Sequence, residues 1–178
     1  MMRKTLIIPA LFIGAAGMLV GALPASAATS GGTPMTVEVG GGALSITVPG
    51  GPVDLGSVPA GVSAQTVSAP LGQVTVTDNR AGTAGWTTTV GATDFTGPQS
   101  ISVSTPGSVT YTAPAATVTG TANVANSSQD HLFPDAVVQT ATGVSGPNTA
   151  AWNPTLAVRV PAGALAGTYS STITHSVA

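Results

Sequence analysis

Two histidines, six carboxylates and no cysteine are the stock of side chains from which this chain could build a reaction centre. A serine hydrolase needs a nucleophile, an imidazole base and an acid that orients it. Only His131 and His175 could be that base. His175 alternates with Ile173 and Val177, the spacing of a residue packed on the apolar face of a strand. No Gly-x-Ser-x-Gly elbow is present. His131 lies in Asp130-His131-Leu132-Phe133-Pro134-Asp135, where two carboxylates and one imidazole make a thin coordination set for a cation. Six acids could include a glycosidase pair, yet none stands in a context that would raise its pKa. Without Cys there is neither thiol catalysis nor a thiolate metal site. The expectation is a protein without enzymatic activity, cofactor or metal.

Other residues fit binding or turn chemistry better. Asp78-Asn79-Arg80 stands at the end of an alternating run, where Asp and Asn cap turns by bonding nearby backbone N–H groups. Arg80 could pair with Asp78 and lie over the ring of Trp86, rigidifying a hairpin turn. Trp86 and Trp152 are the two tryptophans, and an exposed indole is a platform for sugars. Trp86 opens an alternating strand, which favours a core role for it. Asp78, Arg80, Trp86, Trp152 and His175 are therefore the candidate ligand or motif residues.

The elements that must position them are short and alternate with period two. Met35–Val39 and Leu44–Val48 flank Gly40-Gly41-Gly42 and read as two strands. Gln73–Thr77, Trp86–Val90, Ile101 with Val103, Val109 with Tyr111, Thr117–Val124 and a weaker Val137–Thr142 follow. Leu156, Val158 and Val160 share a face, and Thr168–Val177 reads as a long last strand with Tyr169, Ile173, His175 and Val177 on one side. Nine or ten short strands separated by turn signals imply an all-β, antiparallel sandwich of Ig-like or Greek-key-like type. Val58-Pro59-Ala60-Gly61 and Val160-Pro161-Ala162-Gly163 match, but their surroundings do not, so no repeat array is expected.

The N-terminus reads as a secretory signal peptide over residues 1–27. Arg3 and Lys4 precede an apolar stretch from Leu6 to Leu23, and Ala25-Ser26-Ala27 places cleavage before Ala28. Residues 28–34 read as a flexible leader and 35–178 as the β domain. Export leaves Arg80 and Arg159 against six acids, too few cations for nucleic acid or an anionic membrane surface. The chain holds 23 Gly and 14 Pro, but the alternation between them is that of a folded chain rather than a disordered one.

Together these stretches resemble the WxL domain family of Gram-positive cell-surface proteins. In that family a D-x-R turn leads into Gly-Trp and an alternating strand, which here is Val76-Thr77-Asp78-Asn79-Arg80 through Gly85-Trp86 to Val90. Ala92-Thr93-Asp94-Phe95-Thr96-Gly97 is also similar to members. The family closes with a Pro-rich turn, Gly-Thr-Tyr and a strand ending in Thr-Trp-x-Leu. Here Val160-Pro161-Ala162-Gly163 leads to Gly167-Thr168-Tyr169 and then Thr172 to Val177. The resemblance covers roughly Leu44 to Val177. Thr88 stands where the family has Leu, and His175 and Val177 replace the closing Trp and Leu. These departures, with the Ala/Gly/Pro-rich composition, point to a divergent actinobacterial branch. The resemblance implies a β-sandwich held non-covalently on wall peptidoglycan, with other surface proteins as further partners. No Leu-Pro-x-Thr-Gly signal occurs in the 178 residues, so non-covalent retention is the expectation.

Overall fold

Among the described residues, period-two alternation becomes nine antiparallel strands in two sheets. The computed structural model describes residues 30–178, and the signal-peptide assignment lies outside them. The strands are β1 (Leu44–Thr47), β2 (Gln65–Pro70), β3 (Val74–Asp78), β4 (Trp86–Ala92), β5 (Val109–Thr112), β6 (Thr117–Asn126), β7 (Ala136–Trp152), β8 (Thr155–Val160) and β9 (Ile173–Val177). β1, β3, β7, β4 and β9 with β6 make a six-stranded sheet; β2, β8 and β5 make a three-stranded one.

β7 organises the larger sheet. β6 pairs along one of its edges, from Thr117 opposite Ala151 to Asn126 opposite Gln139. On the other edge β3 takes residues 148–152 and β4 takes 136–141. β3 and β4 therefore run end to end along the same partner, interrupted by residues 79–85, and are not a hairpin. β1 borders β3 and β9 borders β4 in the same end-to-end manner, and β1 meets β9.

Two apolar clusters fill the interior of the unit Glu38–Ala178. The first gathers Val90, Phe95, Val109, Tyr111, Leu132 and Leu156; the second gathers Val74, Val76, Trp86, Ala141, Ala150 and Trp152. Fully burying a Val or Leu side chain stabilises by about 1.5–3 kcal/mol.

Several elements differ from the sequence expectation. Met35–Val39 forms no strand, and its three apolar side chains are exposed. Ile101 and Val103 make only a bridge from Ile101 to Phe95, because the Asp94 carboxylate takes the Val103 N–H at 2.9 Å and bends the chain. The weak strand at Val137–Thr142 is the start of a 17-residue one. Gly143 and Gly146 adopt positive φ (60° and 74°) opposite the irregular pairing at Gly120–Asn123, so the ladder passes through residues that read as breakers. The last strand is shorter than its alternation. Thr172 gives its N–H to Thr93 Oγ1, and only Ser170 bridges to Thr96 before β9 begins.

Candidate functional site

The interruption between β3 and β4 is a polar knot. Val74, Val76 and Asp78 alternate inward, which buries the Asp78 carboxylate to 2 % exposure. Arg80 answers it with two bonds, Nε to Oδ1 and Nη2 to Oδ2, each 2.9 Å. The Arg80 backbone N–H also donates to Oδ1, and Nη2 reaches the carbonyls of Ala84 and Gly85. One side chain thus closes the whole excursion and holds Ala81 at φ 58°. The Arg80 guanidinium holds the Asp78 carboxyl below its usual range, with help from Asn148. Gly85 is required here, since any Cβ would strike the Ala141 carbonyl of β7.

Trp86, at the far side of the knot, is 2 % exposed. Its Nε1 donates to Asn148 Oδ1 at 3.2 Å, fastening the start of β4 to β7. The expected Arg80–Trp86 stacking is replaced: the guanidinium is directed at a carboxylate and two carbonyls, which attract it more strongly than a ring face.

Trp152 and His175 belong to a second network, through a residue the sequence reading passed over. Trp152 Nε1 donates to the Tyr111 hydroxyl at 3.2 Å, and that oxygen lies 2.9 Å from His175 Nε2. An indole N–H only donates, so the phenol oxygen accepts from Trp152; toward His175 the phenol donates when the ring proton is on Nδ1 and accepts when it is on Nε2. The Nδ1-protonated tautomer gives the buried phenol proton an acceptor. Burial pushes the His175 pKa down to about 4 and the Tyr111 phenol up to about 12. Tyr111 stands on β5 of the smaller sheet, and its two partners on β7 and β9 of the larger. The signal available in the sequence was a tyrosine in an apolar alternation, whose hydroxyl must find a partner when buried.

His175 also lines a cleft of about 920 Å³ between β2, β8 and β9, walled by Leu55, Val67, Phe95, Val158 and Ile173. The two matched Val-Pro-Ala-Gly segments both line it and meet there, Gly163 N–H donating to the Gly61 carbonyl at 2.9 Å. Beside it, Thr93, Asp94, Thr96, Ser170, Ser171 and Thr172 form a shallow depression rich in hydroxyls. Ser170, Ser171 and Thr172 belong to both, so the apolar cleft has a polar lip. Tyr169, half-buried, lies in the cleft wall next to it, its hydroxyl on the Leu165 carbonyl.

The structure thus divides the five candidates between two networks and places His175 at the cleft. Both tryptophans are buried in the core and offer no face to a sugar. His131 Nδ1 pairs with Asp130 Oδ1 at 2.8 Å on the surface, and the described residues hold no group of three or more metal-ligating side chains. Comparison with family models, curated proteins and solved structures gives no match.

Proposed function

We propose that the chain is a secreted cell-surface protein whose WxL-like, Ig-like β domain associates non-covalently with wall peptidoglycan. The observation that carries the reading is the apolar cleft with its hydroxyl lip. Ser170 sets its hydroxyl beside Tyr169, while Thr96 and Ser171 spend their hydroxyl protons on the Ser170 and Thr93 carbonyls and keep oxygen lone pairs outward, with Asp94 the one carboxylate among them. A glycan needs this combination: hydrogen-bonding groups for its hydroxyls, and apolar or aromatic surface for its C–H faces.

The reading assigns no reaction to the site. The export signal at residues 1–27, and the D-x-R, Gly-Trp and Gly-Thr-Tyr stretches, support the surface assignment.

Sedimentation with isolated sacculi tests it. Residues 28–178 are expected to pellet, with little effect of salt, because two arginines against six acids give weak attraction to an anionic wall. Protein that stays in the supernatant at every salt concentration overturns the proposal. Retention on soluble glycans but not on sacculi turns it into a released carbohydrate-binding module.

A further inference from the structure

Met35-Thr36-Val37-Glu38-Val39 has the alternation of a strand but pairs with none among the described residues. Met35, Val37 and Val39 are 91, 91 and 83 % exposed. The chain beyond them is tied down: Gly42 N–H donates to the Asn79 carbonyl at 2.6 Å, and Gly41 lies against the Arg80 backbone. Residues 41–44 therefore enter β1 on the side of the second apolar cluster.

β2 lies on the first cluster and has the complementary lack. Among the described residues it pairs only with β8. The Leu71 N–H donates to the Pro154 carbonyl, and antiparallel pairs alternate, so Val67 and Ala69 direct their backbone groups to β8. Thr66 and Ser68 direct theirs outward to an open edge. Val67 faces the cleft, in a row with Val158 and Val109. Thr66 faces solvent, in a row with Arg159. Arg80 is held by Asp78, whereas Arg159 makes no ion pair among the described residues.

We propose that Met35–Val39 of one copy adds as an antiparallel strand to the β2 edge of a second copy, Val37 opposite Val67. This register satisfies three demands at once. Thr36 and Glu38 bring their backbone groups to those of Ser68 and Thr66. Val37 extends the row Val67–Val158–Val109 and covers the open side of the cleft. Glu38 falls on the outer row of Thr66 and Arg159, about 10 Å from Arg159 across two strand spacings, which the two side chains span together. Pro34 then lies opposite Pro70, and the two prolines end the ladder. A slip of one residue would put Glu38 into the apolar cleft and Val37 into water. Each copy carries one donor and one acceptor, so the contact is head-to-tail and propagates into chains of copies.

Sedimentation velocity of residues 28–178 over a range of concentrations, without wall material, tests this independently of peptidoglycan binding. The mean mass is expected to rise with concentration. Val37→Asp is expected to abolish that rise while leaving the thermal melt unchanged, because Val37 is exposed in the single copy. Glu38→Arg and Arg159→Glu should each weaken association, and the double reversal should restore it. A chain that is monomeric at every concentration overturns the proposal. So does association that survives Val37→Asp, or a double reversal no better than its parents.

Discussion

The hydroxyl of Tyr111 stands 2.9 Å from Nε2 of His175, and this contact joins the two sheets. Trp152 donates to the same oxygen from β7, so one phenol satisfies two groups of the opposite layer. Burial disfavours a charged imidazole here, and in the Nδ1-protonated neutral ring Nε2 accepts the phenol proton.

This fixes a pH dependence. Burial lowers the His175 pKa to about 4, against 6.5 for the unfolded chain. Below 6.5 the unfolded state binds a proton that the native state refuses, so stability from the neutral ring is complete above 6.5. It declines as pH falls and is lost by about 4. His175→Gln keeps an acceptor for Tyr111 but does not titrate, and is expected to flatten the decline between about pH 7 and pH 5. His175→Trp also flattens it, but supplies a donor where an acceptor is needed and is less stable than Gln at neutral pH. Denaturant melts across that range decide the matter, and equal slopes in wild type and Gln variant would contradict the account.

Arg80→Ala tests the polar knot. Asp78 is held below its usual 3.8, first by its side-chain bonds to Arg80, so its contribution is present above 3.8 and lost as pH falls through the folded value. The variant is expected to be less stable than wild type at neutral pH, with the deficit shrinking below 3.8 as the carboxylate protonates. A deficit independent of pH would mean that Arg80 acts by packing alone.

Thr88 is fully buried on β4, and its hydroxyl finds no partner among the described residues. The core therefore holds a polar atom that it does not satisfy. Thr88→Val removes that atom at nearly constant shape and is expected to stabilise by about 1 kcal/mol. Urea melts check this, and a loss of stability would show that the hydroxyl is bonded.

The strands were legible where one face meets the core, as in Val74-Val76 and Leu156-Val158, because burial imposes period two. Met35–Val39 shows the limit of that signal: alternation says which side chains want cover, not which edge supplies it. β7 was hidden for the opposite reason, since Gly143, Gly146 and Pro147 read as an end although positive-φ residues can carry a strand through a bulge. Of the site, the Asp78–Arg80 pair was readable because it is local. Trp86–Asn148 and Tyr111–His175 join residues 62 and 64 positions apart, and no local pattern announces such partners.

The central claim is that the hydroxyl lip of the cleft takes wall glycan. Amide chemical shifts of isotope-labelled residues 28–178, titrated with soluble peptidoglycan fragments, test it most directly. The account predicts saturable shifts at Thr93–Thr96 and at Ser170–Thr172, with none at the buried indoles of Trp86 and Trp152. Absence of shifts at the lip, or shifts confined to the Asp78–Gly85 loop, would contradict it.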